Sequence, residues 1–183
     1  MAAFSFCYTP RTLQRRCQMA EIKIVRAEKS ETVWAKEIVQ LIKPEARSSL
    51  MLAWKEEEIK RGIERGDAIL AFQNGQVVGH VRLVIWKRYV EIAALIVAPQ
   101  ERGKHLGTNL MREGIDLARE KYPRKEIILL PNEASFHIGA QLGFSECEKN
   151  YFDGEIWEAC QNCLEFPRFP ICHCHPMVLK KCN

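Results

Sequence analysis

The stretch that most constrains this chain is Tyr89 to Met111, where a nearly continuous apolar strand, a polar loop with glycines and an apolar-striped helix follow one another. Tyr89 to Ala98 reads as a buried strand closed by Pro99, and Gln100 to Gly107 is polar. The helix that follows sets Leu106, Leu110, Met111, Ile115 and Ala118 in one stripe, until Tyr122-Pro123 breaks it. A buried strand that leads through a loop into a helix presents unpaired backbone N–H groups and the positive end of the helix dipole, a combination that favours a bound phosphate. Neither the Walker spacing nor a dinucleotide GxGxxG is met between Gln100 and Thr108, which sets the two obvious nucleotide families aside.

The remaining elements fall on either side of this unit. Glu21 to Ala27 alternates as a half-buried strand, and Ser30 offers an N-cap to a helix that carries Trp34, Ile38, Leu41 and Ile42 and stops at Pro44. Ser48 to Arg65 predicts a second helix, with Leu50, Trp54, Ile59 and Ile63 at mostly helical spacing and Gly66 at its end. Ala68 to Gln73 and Val77 to Trp86 are strands joined by Asn74-Gly75, a strong two-residue hairpin signal. Beyond the central helix come a short buried strand, Glu126 to Leu130, and a helix capped by Asn132 and closed by Gly143. Phe144 to Phe152 and Met177 to Lys181 are the last two expected strands. The order β, α, α, β, β, β, loop, α, β, α, β, β predicts one mixed α/β layer fold.

Composition excludes several classes. With 183 residues, 47% apolar, the chain can bury a sizeable single-domain core, and no apolar run approaches the ~20 residues of a membrane span. The net charge of +4 is concentrated at one end, because Arg11, Arg15 and Arg16 fall in an acid-free stretch, residues 1–18. Of 27 basic residues these are three, leaving 24 against 23 acids from Met19 onward, so the body carries no electrostatic footprint for nucleic acid. Residues 1–18 are expected to be a leader ahead of a start at Met19, with a transit peptide as the alternative, and residues 19–183 the domain.

The residues IVAPQERGKHLGTNLM, Ile96 to Met111, resemble the acetyl-CoA loop of the GCN5-related N-acetyltransferases (GNAT), whose pattern is R/Q-x-x-G-x-G/A. Arg102, Gly103, Lys104, His105, Leu106 and Gly107 fit it except at His105, where the family usually has its first glycine. Glu91 stands where histone-acetylating members keep a general base, Asn132 matches a second cofactor-contacting position, and Gly143-Phe144 reproduces the closing GF. The resemblance implies the mixed central sheet of the acyl-CoA N-acyltransferases and acetyl-CoA bound by Leu95, Ile96, Val97, residues Arg102 to Thr108 and Asn132. It further implies direct transfer to a primary amine. Gly139 departs from the family, which often has there a tyrosine that protonates the departing thiolate; Cys147 and Tyr151 are unranked substitutes.

A Cys/His-rich insertion, residues 160–175, falls between the last two expected strands. Cys160-x2-Cys163 has knuckle spacing, and with Cys172 and Cys174, or His175 in place of one cysteine, it can supply four ligands to one structural zinc. Disulfides are the alternative. The cysteines are clustered rather than spread through the fold, which favours a reducing compartment and a cytoplasmic location. His80, Arg82 and His137 read as structural or surface residues, and the tryptophans as core or pocket wall. Two other functions stay open: a non-catalytic CoA-binding or zinc/thiol sensor module on the same fold, and a transferase for longer acyl groups.

Overall fold

The computed structural model describes residues 21–48, 50–163 and 174–180. Residues 1–18 and Cys172, for which the sequence raised expectations, lie outside them. Among the described residues no helix is long and apolar enough to cross a membrane.

Seven strands form one mixed sheet: β1 (Lys23–Arg26), β2 (Ala68–Gln73), β3 (Gln76–Ile85), β4 (Tyr89–Val97), β5 (Glu126–Leu129), β6 (Phe144–Glu146) and β7 (Met177–Leu179). Their order across the sheet is β1-β2-β3-β4-β5-β7-β6, and only β4 with β5 is parallel. The β2–β3 hairpin turns on Asn74 and Gly75, both at positive φ (52° and 74°), the conformation a twisted two-residue hairpin demands. Helices cover both faces. α3 (Leu106–Lys121) and α4 (Glu133–Gln141) close one core with Val81, Val90, Ile92 and Leu129, while α1 (Ala35–Arg47) and α2 (Glu56–Glu64) close the other over Leu70, Ala94 and Ile96. A smaller cluster of Tyr89, Ile128, Phe152 and Ile156 seats the short helix α5 (Gly154–Ala159).

Several expectations are corrected. α1 runs through Pro44 to Arg47 because a proline in the last turn costs only one late backbone bond, and the amide of Ser48 still closes on the Pro44 carbonyl at 3.2 Å. The second helix begins at Glu56, not Ser48. Its start is fixed by the Glu58 carboxylate accepting from the Lys55 amide at 2.8 Å, and Leu50 to Lys55 form a non-helical segment instead. The strand expected from Phe144 to Phe152 shortens to β6, and α5 was not foreseen.

The central irregularity is in β4. Between the pairs His80↔Ile96 and Arg82↔Ala93 its register against β3 slips by one residue, and Ala94 sits at φ +51°. This bulge exchanges the faces of β4, since side chains alternate along a strand: Val90 and Ile92 pack toward α3, whereas Ala94 and Ile96 pack toward α1 and α2. Pairing with β5 ends just before it, at Glu91↔Ile128. From Ile92 to Val97 the backbone groups of β4 that point toward β5 therefore have no strand partner there, and the two strands open as a V at their C-terminal ends.

Candidate active site

Two features meet at this opening. On one side lies the start of α3. His105 holds the N-cap position at φ +60° and Gly103 stands at φ +75°, so the loop makes two left-handed turns before the helix begins. A histidine thus adopts the backbone that glycine usually supplies, with its side chain outward and exposed. The first intrahelical amide bond runs from Asn109 to the His105 carbonyl at 3.0 Å, which leaves the N–H groups of Leu106, Gly107 and Thr108 without intrahelical partners. Gly107 is tightly overlaid: a Cβ there would stand 3.3 Å from Ile138 and 3.8 Å from Val97.

The charged side chains of this loop brace it. Arg102 donates from Nε to the Val97 carbonyl at 3.0 Å and pairs with Glu45 of α1 at 2.7 Å. Lys104 reaches the buried carboxylate of Glu101 at 3.1 Å. Leu106 is core, Thr108 half-buried. Asn132 caps α4 by accepting from the Ser135 amide at 3.0 Å, and its Nδ2 donates to the Leu50 carbonyl at 2.5 Å. Both ends of its amide thus hold protein, tying α4 to the segment before α2. Leu95 and Val97 pack toward α3 and Ile96 toward α1, so from these three residues the opening receives backbone.

The second feature is a pocket of about 300 Å³ on the α1/α2 face of the sheet, lined by Leu52, Trp54, Glu58, Arg61, Arg65, Arg82, Val84, Trp86, Glu91, Leu130, Ile156 and Cys160. Glu91 is its titratable centre. Protein atoms crowd the carboxylate and burial raises its pKa from 4.5 to about 7, opposed by the Trp86 indole, which donates to it at 3.0 Å, and by the positive charge of Arg82. That value suits a group that must be ionised in good part near neutrality and still accept a proton readily.

The structural or surface reading of Arg82 is corrected, because it lies with Trp86 beside Glu91, while Trp86 forms pocket wall as expected and Arg61 and Arg65, which no sequence motif marks, line the same pocket. Arg82 is fixed by donating to the Glu58 carbonyl at 2.8 Å and by stacking 4.6 Å over the Trp54 ring. Its Nε is buried without a partner. The available signal was strand alternation: Val84 pairs with Glu91, so His80, Arg82 and Trp86 share the face of Glu91 on β3. Nothing in the sequence joins α2's arginines to that face.

Other expectations move away from the site. Cys147 donates to the Pro176 carbonyl at 3.5 Å, and Tyr151 donates to Glu126 at 2.8 Å with its pKa pushed up to about 12 by that bond; neither lines the pocket. Phe152 and Trp157 form a ring contact at 5.9 Å within the α5 cluster, and the segment before α2 gives Leu52 and Trp54 to the pocket wall. Gly139 has no room for any side chain: a Cβ would meet Leu129 Cδ1 at 2.8 Å and Met177 Sδ at 3.0 Å. It packs α4 onto the sheet.

Zinc finds no support. Among the described residues no three His, Cys, Asp or Glu side chains gather as a metal site requires. Cys160 lines the Glu91 pocket, whereas Cys163 lines a separate apolar one with Val39, Ile42 and Met51. The His175 ring meets Glu146 through Nδ1 at 3.1 Å and Phe136 at 5.2 Å between centroids.

Comparison with known proteins agrees with this geometry. The chain is 29% identical to an uncharacterized N-acetyltransferase of Chlorobaculum tepidum over 111 residues, 57% of this chain and 70% of that one. Among solved structures, it resembles N-acetylglutamate synthase from Neisseria gonorrhoeae complexed with coenzyme A and N-acetyl-glutamate, with a TM-score of 0.69, 19% identity and 88% of this chain covered. It spans only 36% of that synthase. Rv2747 from Mycobacterium tuberculosis, solved in complex with CoA, gives 0.67 at 22% identity over 87% of this chain and 99% of that one. The structure of yncA from Salmonella typhimurium, with its cofactor acetyl-CoA, gives 0.59 at 19% identity over 70% and 82%. The family model for the acetyltransferase (GNAT) family matches residues 35–144, the span from α1 to the first residue of β6, and the chain belongs to that family.

Proposed function

We propose that this protein transfers the acetyl group of acetyl-CoA to the amine of a small, carboxylate-bearing acceptor such as an amino acid, with Glu91 as general base. The observation that carries the reading is that Glu91, Arg61, Arg65 and Arg82 line one pocket. Against these three cations stand Glu58 and Glu91, the latter partly protonated near neutral pH, so the lining is net positive and suits an anionic acceptor. The volume of about 300 Å³ fits a ligand of amino-acid size. The gonococcal synthase, whose structure holds coenzyme A and N-acetyl-glutamate, supplies a precedent on this fold.

The donor would enter the V between β4 and β5, its pyrophosphate against the free amides at the start of α3 and its thioester along the unpaired backbone of Leu95 to Val97. The acceptor nitrogen, neutral when it attacks, forms the new C–N bond while the C–S bond breaks. Its proton passes to Glu91, directly or through water, and CoA leaves as the thiolate and takes a proton from solvent.

Release of CoA from acetyl-CoA across amino acids and their decarboxylated analogues tests this reading. Amino acids are expected to exceed the matching simple amines at least tenfold in kcat/KM, on the order of one charged hydrogen bond. Equal rates for both would remove the carboxylate from the proposal.

A further inference from the structure

His80 is fully buried on β3, opposite Leu70 on one side and Ile96 on the other. Its Nδ1 lies 3.1 Å from the carbonyl oxygen of Ala94. A carbonyl can only accept, so Nδ1 carries the proton and Nε2 is a lone pair. That lone pair is buried and meets no hydrogen-bond partner. Burial lowers the pKa of the ring from 6.5 to about 3, so it is neutral in any ordinary buffer.

An orphaned buried acceptor costs free energy that a leucine at the same place would avoid. The contact it accompanies explains its presence. Ala94, Asn74 and His105 are the non-glycine residues at positive φ among the described residues; Asn74 is in a hairpin and His105 at a helix cap, while Ala94 lies inside a strand. An alanine in this conformation is unfavourable by itself and persists only where its surroundings hold it. Ala94 has no partner in the β3 register, which passes from Arg82↔Ala93 to His80↔Ile96, and the imidazole of His80 meets its carbonyl.

We infer that His80 is a positioning residue for acetyl transfer: its Nδ1–H holds the bulge at Ala94, and so fixes the separation of β4 from β5 into which the acyl donor fits. The inference rests on the proposed function, because it assigns the opening to acetyl-CoA. It adds to that reading a residue that touches neither donor nor acceptor.

The test is acetyl-CoA binding by calorimetry, together with the KM values of donor and amine, in the wild-type protein, His80→Leu and His80→Asn. Leucine fills the space without a donor, whereas asparagine places an amide N–H where Nδ1 stood. His80→Leu is expected to weaken acetyl-CoA about five- to tenfold, the loss of one buried hydrogen bond, with the amine KM within about twofold of wild type. His80→Asn should recover most of the affinity. Wild-type affinity in His80→Leu overturns the inference, as does an equal loss in both variants. If the wild-type protein itself binds no acetyl-CoA, the functional reading fails instead. Imidazole nitrogen NMR of the wild-type protein decides the point even where a variant does not fold: a protonated Nδ1 with a bare Nε2 is expected, and an Nε2–H tautomer contradicts the assignment.

Discussion

The indole of Trp86 donates to the carboxylate of Glu91 at 3.0 Å across the β3–β4 hairpin, so the group that titrates in the pocket is oriented by its neighbour on the adjoining strand. The bond favours the ionised form of Glu91 and partly offsets the burial that raises its pKa to about 7. Trp86→Phe keeps the aromatic bulk and removes the donor. The acidic limb of the pH–rate profile should then move upward by about half a unit to one unit, with little change in the rate at the alkaline plateau. An unmoved limb contradicts the orienting role.

Burial of Glu91 also has a stability consequence. Its folded pKa of about 7 exceeds its ordinary 4.5, so the folded state holds an extra proton between these values. This contribution to stability is fully present below about pH 4.5 and is lost as pH rises through about 7. Glu91→Gln should therefore gain on the wild-type protein between pH 5 and pH 8, on the order of 1–3 kcal/mol at the upper end. Urea unfolding of both proteins at the two pH values measures it; a difference independent of pH contradicts the shift.

Arg82 is fixed by Glu58 and by the Trp54 ring, and its guanidinium faces the pocket. Arg82→Met should raise the KM of a carboxylate-bearing acceptor at least about tenfold while leaving the KM of acetyl-CoA unchanged. Steady-state kinetics with each substrate varied in turn separates the two. An equal change in both would point to a disturbed sheet rather than a lost acceptor contact.

Gly139 is held between α4 and the sheet by atoms that a Cβ would approach to 2.8 and 3.0 Å. Gly139→Ala should cost about 1–3 kcal/mol by overpacking, read from denaturant unfolding. Unchanged stability would show that α4 can shift outward.

Much of this architecture was legible in the chain because its signals are local. Alternation located β1, Asn74-Gly75 fixed the hairpin of β2 and β3, and continuous apolar runs marked β4 and β5, the former leading through a polar loop into α3. What escaped depends on contacts far apart in sequence. Leu50 and Trp54 keep helical spacing, yet Trp54 lies beneath Arg82 from β3 and the segment does not wind. The bulge at Ala94 is silent because the residues after Glu91 in β4 are apolar on both faces, so a slip of one changes no pattern. The pocket joins Arg61 and Arg65 of the α2 region to Glu91, and α5, at six residues, is too short to show a helical period. Gly139 matched a family position by count, whereas its direction is set by packing on Leu129 and Met177.

The central claim is that Glu91 takes the proton as the amine attacks, and the pH dependence of kcat/KM in the wild-type protein and in Glu91→Gln tests it most directly. Divided by the fraction of the acceptor present as neutral amine, the wild-type profile should rise with unit slope to a break near pH 7, the pKa of Glu91. Glu91→Gln should be lower by about 100-fold or more and lack that limb, with acetyl-CoA affinity nearly unchanged. A variant that keeps the wild-type limb and rate would show that another group, not Glu91, accepts the proton.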